Sequence, residues 1–126
     1  MKKTNWINTV FGGAALVALF GLNARAELSE AEARAHLKRG AVVVDVRTVE
    51  EFNTKHLTNV VNIPLADLKA KLPGVVTNKS QVVLLHCRSG RRSGVAEREL
   101  RELGYTNAFN IGSFEQAQKV LGQPTK

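Results

Sequence analysis

Four short runs rich in β-branched and other apolar residues, at 41–46, 60–63, 81–85 and 108–111, are separated by stretches with helical spacing or helix-capping patterns. This alternation constrains the chain more than any other feature. Strands that alternate with helices cannot pair as hairpins; they form a parallel sheet covered by helices on both sides. Residues 41–46, Ala-Val-Val-Val-Asp-Val, read as a strand buried on both faces, where apolar residues run on without alternation. The expectation is an α/β domain with a central parallel sheet of about five short strands and helices on both faces. Ligands of such sheets bind at the C-terminal ends of the strands.

The helices have readable starts and stops. Ser29 with Glu32, and Thr48 with Glu51, have the spacing of a capping box, and Gly40 follows the first of these helices. The second is predicted to be short, ending between Phe52 and Lys55. Leu65, Leu68 and Leu72 share one face of a helix that Pro73 and Gly74 should end. A further helix is predicted from Ser93 to Leu103, with Val95, Leu100 and Leu103 as its apolar stripe and Gly104 as its stop. Its charge-rich part, 97–102, reads as a solvated face with spaced ion pairs. A final helical turn or two is expected over 114–120, then a frayed tail over 123–126.

The third strand run ends in the chain's single cysteine, followed by Arg88, Ser89, Gly90, Arg91, Arg92 and Ser93. A helix N-terminus presents unpaired N–H groups and the positive end of the helix dipole, and a glycine-containing loop can turn further N–H groups inward. With three guanidinium groups beside it, Cys87 sits in an anion site. Free cysteine titrates near 8.5, and such surroundings bring thiols to about 3.5–7.5. Cys87 is therefore the candidate nucleophile, and a thiolate needs no general base. His86, the residue before it, is expected to pack. Asp45 and Arg47 end the first strand run, so strand order places them on the same rim as candidate contacts.

Residues 1–26 do not read as part of this domain. Lys2 and Lys3, an apolar stretch from Phe11 to Leu22, and Ala24-Arg25-Ala26 have the layout of a secretory signal peptide. The stretch is too short for a spanning helix, which needs roughly 20 residues, so no stable membrane anchor is expected. Residues 27–126 would then form one domain in a periplasm or outside the cell. Loss of Lys2, Lys3 and Arg25 brings the formal net charge from +7 to +4. Aromatic residues are not interleaved with the remaining basic ones, which argues against a single-stranded nucleic-acid track. One cysteine offers no internal disulfide, so the thiol reads as a tool rather than a staple. With no evident exposed apolar stripe, a monomer is expected.

Val44-Asp45-Val46-Arg47, Glu51-Phe52 with His56-Leu57, Asn62-Ile63-Pro64-Leu65, the loop Cys87 to Ser93 and Leu103-Gly104-Tyr105-Thr106-Asn107 together resemble the single-domain rhodaneses of the small periplasmic type. The loop pattern C-R-S-G-x-R-S is the specific part. Lys55 and Asn59, on either side of His56-Leu57, and Ser113 stand where that family commonly has glycine. The resemblance implies a thiosulfate sulfurtransferase that works without metal or other cofactor. Cys87 would take the outer sulfur of thiosulfate as a persulfide and pass it to cyanide or a thiol. Arg88, Arg91 and Arg92 would neutralise the anionic donor, with Arg92 alternatively bracing the loop against a carboxylate. His56 would fix a turn.

Two other readings use the same cysteine. Phosphatases and arsenate reductases of this fold place an arginine six residues after the cysteine. Here that position is Ser93 and the arginine is at the fifth, so the loop is one residue too short. A persulfide carrier serving a partner protein would need no change in the loop. Redox protection by the thiol would need an external thiol to complete it.

Overall fold

The computed structural model describes residues 27–124. The expected signal peptide lies outside the described residues. The elements follow in the order α1 (Glu30–Lys38), β1 (Val42–Asp45), α2 (Val49–Thr54), β2 (Val61–Asn62), a 3-10 turn at Leu65–Asp67, α3 (Leu68–Val75), β3 (Val83–His86), α4 (Arg91–Glu102), β4 (Ala108–Gly112) and α5 (Phe114–Leu121). The strands form one parallel sheet in the order β2-β1-β3-β4. Four strands thus stand among the described residues, close to the expected five.

The two central strands are the apolar runs, and their burial explains their composition. From Val43 to Asp45 and from Val83 to His86 every residue is buried. Alternate side chains feed two cores. Val44, Val46, Leu85 and Cys87 pack with Leu68 and Leu72 of α3 and Ala96 and Leu100 of α4. Val43 and Leu84 pack on the other face with Ala33 of α1 and Ala117 and Val120 of α5. Each such valine or leucine contributes roughly 1.5–3 kcal/mol by leaving water, which is what holds two helical layers to a sheet this small. Cys87 belongs to the α4 face of the sheet, and this decides where its sulfur points.

Helix starts follow their caps. The Ser29 hydroxyl accepts the Glu32 N–H at 3.1 Å, and Thr48 with Glu51 forms the reciprocal capping box. Ser113 forms a second such box with Gln116, at φ −75°, which needs no glycine. Lys55 is extended at φ −162° and equally needs none, whereas Asn59 takes the left-handed φ of 60° that asparagine tolerates. Pro73 does not end α3 as predicted. It lies within the helix, which runs on to Val75 and closes with the Val76 N–H on the Leu72 carbonyl at 2.8 Å. Proline late in a short helix forfeits only one internal hydrogen bond.

The charged part of α4 does more than face solvent. Glu97 accepts the Asn110 N–H at 2.7 Å, and Arg101 donates to the Ala108 carbonyl at 3.0 Å. One turn of the helix thus occupies outward-facing backbone groups of the edge strand β4. The stripe of α4 is also shifted from the predicted one: Ser93, Ala96 and Leu100 are buried, while Val95 is only half-buried. The helix starts at Arg91 and not at Ser93, and at about 100° per residue Val95 stands well off the face that Ser93, Ala96 and Leu100 share.

Candidate active site

Parallel pairing lines up the strand ends. Asp45 pairs with Asn62 on one side and His86 on the other, and His86 with Gly112, so one row crosses the C-terminal rim. Cys87 follows directly. Its N–H donates to the Gly112 carbonyl at 3.3 Å, tying the loop's first residue to the end of β4.

Gly90 turns the chain from that loop into α4. It is the N-cap residue at φ +95°, and a Cβ there would come within 3.3 Å of the Gly112 Cα. Only glycine meets both conditions without strain. Because the cap residue brings no side chain, α4 starts without a side-chain cap. Arg91, Arg92 and Ser93 therefore form its first turn, leaving Arg88 as the one arginine of the loop proper. The Gly90 N–H donates to Cys87 Sγ at 3.0 Å, and the Ser93 hydroxyl lies 3.5 Å from it.

Cys87 exposes none of its surface. Burial pushes the thiol up, but hydrogen bonds from the Ser93 hydroxyl and from the N–H groups of Ser93, Gly90 and Ser89 outweigh it, and the thiol stands below its ordinary value. The anion site is thus built mainly from neutral dipoles. The three arginines divide differently. Arg92 is paired with Glu51 through two parallel hydrogen bonds, Nη1 to Oε1 at 2.7 Å and Nη2 to Oε2 at 3.0 Å. That fork holds the Glu51 carboxyl down to about 2, chiefly through the Arg92 hydrogen bond. In turn Glu51 raises Arg92, which also senses the charge of Cys87. Arg88 and Arg91 are exposed and have no ion-pair or hydrogen-bond partner for their guanidinium groups among the described residues.

On the rim, Asp45 is fully buried and accepts from the Arg47 N–H, Nε and Nη2 at 2.8–3.0 Å. Arg47 Nη2 also donates to the Lys55 carbonyl at 2.7 Å, and its guanidinium stacks over the Phe114 ring at 4.9 Å. Arg47 is taken up by these partners and acts as a brace. His86 is buried, its Nδ1 3.3 Å from the Cys87 carbonyl and its Nε2 3.8 Å from Asp45 Oδ2, and burial holds its pKa down. The neutral ring packs edge-on against Phe114. His56 stacks on Phe52 and reaches the Phe52 carbonyl through Nδ1 at 2.8 Å, closing the turn after α2.

Three residues at the site escape a reading of local spacing. Glu51 reads as a capping residue, and its pairing with Arg92 spans 41 positions. Phe114 packs beneath Arg47 and Lys55, and its N–H donates to the Arg88 carbonyl at 3.2 Å. Asn110 bonds to Gly90, Ser93 and Gly112. Its one sequence signal is a polar side chain in the middle of an apolar strand. A cleft of about 440 Å³ opens beside the loop between Ser89, Gly90 and Asn110 on one wall and Ser29 and Glu30 on another, but Cys87 does not line it.

The family model described as "Rhodanese-like domain" matches residues 29–119, from the cap of α1 to the last turn of α5. The chain belongs to the rhodanese-like family. The thiosulfate sulfurtransferase PspE of Escherichia coli K12 is 36% identical over 72 residues, 57% of this chain and 69% of that protein. A putative sulfur carrier protein of Bacillus subtilis, YrkF, is 32% identical over 69 residues, 55% of this chain but 36% of that longer protein. Among solved structures, a rhodanese from E. coli, solved with anions, aligns at a TM-score of 0.59 with 34% identity, covering 61% of this chain and 91% of its own. The human single-domain sulfurtransferase TSTD1 aligns at 0.62 with 25% identity, covering 76% and 97%. This rhodanese-like chain thus has sulfurtransferases among its relatives, which supports sulfur transfer between a donor and an acceptor as its general chemistry.

Proposed function

We propose that the protein is a thiosulfate sulfurtransferase with Cys87 as its sulfur-carrying nucleophile. The observation that carries this reading is the cradle around Sγ, where N–H groups and a hydroxyl converge on a buried thiol and hold it below its ordinary pKa. The Cys87 thiolate attacks the outer sulfur of thiosulfate. The S–S bond to the sulfite sulfur breaks, sulfite leaves with the bonding pair, and Cys87 becomes a persulfide anion. Cyanide or a thiolate then attacks the terminal sulfur, and the Cys87 thiolate leaves with its electron pair. The N–H groups of Ser89, Gly90 and Ser93 stabilise the anion at either stage without titrating themselves.

Because Cys87 is closed to solvent, the donor reaches it only when side chains at the mouth give way. Arg88 and Arg91 are the unpaired cations there, and they attract and neutralise the dianionic donor, while Arg92 and Arg47 hold the frame. The reading includes export, with residues 1–26 as the signal peptide and residues 27–126 acting as a monomer in a periplasm or outside the cell.

The test is the intact mass of the purified domain after thiosulfate and again after cyanide, with Cys87→Ser in parallel. One sulfur should be gained and then lost, in the wild type only. Failure to gain sulfur from thiosulfate while a generic aryl phosphate is hydrolysed would replace this reading with the phosphatase one. A persulfide that forms but passes only to a partner protein would make the chain a carrier.

A further inference from the structure

Asn110 is half-buried in the middle of β4, between Phe109 and the buried Ile111. Its Oδ1 accepts the Gly112 N–H at 2.8 Å and the Ser93 hydroxyl at 2.7 Å, and its Nδ2 donates to the Gly90 carbonyl at 3.0 Å. A backbone donor on one end and a backbone acceptor on the other fix which end is oxygen. The Ser93 hydroxyl is therefore the donor in its contact with Asn110.

The two groups held this way both lie within hydrogen-bonding distance of the sulfur. Gly90 donates its N–H to Sγ at 3.0 Å, and its carbonyl is the one Asn110 holds. Ser93 Oγ stands 3.5 Å from Sγ and 2.7 Å from Asn110 Oδ1. A hydroxyl has one proton to give. While the sulfur is a neutral thiol, the shorter contact takes that proton. Once the sulfur is an anion it is the stronger acceptor, and rotation about the Ser93 Cβ–Oγ bond delivers the proton to it. Asn110 Oδ1 still has the Gly112 N–H, so no buried acceptor is left without a partner.

We propose that Asn110 is a positioning residue for the sulfur chemistry of Cys87: it pins the Gly90 residue whose N–H faces Sγ, and it keeps the Ser93 hydroxyl within reach of the sulfur until an anion forms there. The proposal rests on Cys87 being the nucleophile. It goes beyond that reading by placing a control point on β4, outside the loop motif.

The test compares wild type, Asn110→Ala and Asn110→Ser by the rate of Cys87 alkylation with iodoacetamide as a function of pH, with thermal unfolding alongside. Asn110→Ser keeps a small polar group near the Gly112 N–H but is too short for Gly90, and it serves if the alanine variant fails to fold. The alkylation midpoint should rise by about one pH unit, the scale of one lost hydrogen bond to a charged group. With thiosulfate and cyanide, kcat/KM should fall about tenfold. Adding Ser93→Ala to Asn110→Ala should cost less than Ser93→Ala alone, because part of the serine's effect is already gone. An unchanged or lowered midpoint in a folded variant would overturn the proposal, whatever the melting temperature does, since a bracing role alone moves melting and not titration. Alkylation needs no sulfur donor, so this result is separate from whether thiosulfate is the substrate.

Discussion

Replacing Glu51 by glutamine isolates the ion pair that ties α2 to the start of α4. Glutamine can still accept the Thr48 N–H, so the capping box survives, but the charge facing Arg92 is gone. A carboxyl held at about 2 against 4.5 is worth at most about 3 kcal/mol at neutral pH. The paired side chains remain 29% and 33% exposed, and solvent screening brings this to about 1–1.5 kcal/mol. For a domain of this size that is roughly 5–10 °C in Tm. The sign follows from the direction of the shift. The folded pKa lies below the unfolded one, so the contribution is complete above about pH 4.5 and drains away as pH falls toward 2. At pH 3 less than half of it should remain. Urea unfolding of wild type and Glu51→Gln at pH 7 and pH 3 reads this directly, as a gap between the two proteins that narrows in acid. A gap equally wide at both pH values, or none at pH 7, would refute the assignment of that stability to the pair.

Other perturbations probe the loop. Arg88→Ala and Arg91→Ala should each raise KM for thiosulfate about two- to fivefold with little change in kcat, and the effect should shrink as salt is added, because exposed charges are screened; steady-state kinetics at two ionic strengths check this, and no change at low salt would remove these residues from donor binding. Gly90→Ala should destabilise by more than about 1 kcal/mol, since alanine at φ +95° is strained and its Cβ meets the Gly112 backbone at 3.3 Å. It should also slow Cys87 alkylation at neutral pH, because the strained residue supplies the N–H on the sulfur.

The strand order of burial was legible because it is written in local composition. The runs around Val43 and Leu84 have no alternation, and both prove to be covered on two faces. The position of Cys87 at the end of such a strand, with glycine and arginines following, likewise needs no long-range knowledge. What local spacing could not supply were contacts made across the chain. Arg92 looks the same in sequence whether it binds a substrate anion or a carboxylate of the chain itself, and only the fold sets Glu51, 41 positions away, opposite it. Ser93 has the composition of a helix cap, yet Gly90 at a left-handed φ starts the helix first and leaves the serine hydroxyl free to turn inward. Pro73 reads as a stop in sequence, yet the helix has only two residues left to run beyond it and loses little by carrying it. Glu97 and Arg101 looked like surface charges because the strand they cover lies beyond the next turn.

That cover limits how anything else can join this sheet. One edge is the two-residue β2, too short to template a visiting strand, and at the other Glu97 and Arg101 already occupy backbone groups that a newcomer would need. Fibril-like stacking of copies is blunted at both ends. Under the carrier reading, a partner protein would have to bind by some means other than adding a strand to this sheet, so its affinity would depend on charge and shape rather than on added β-structure.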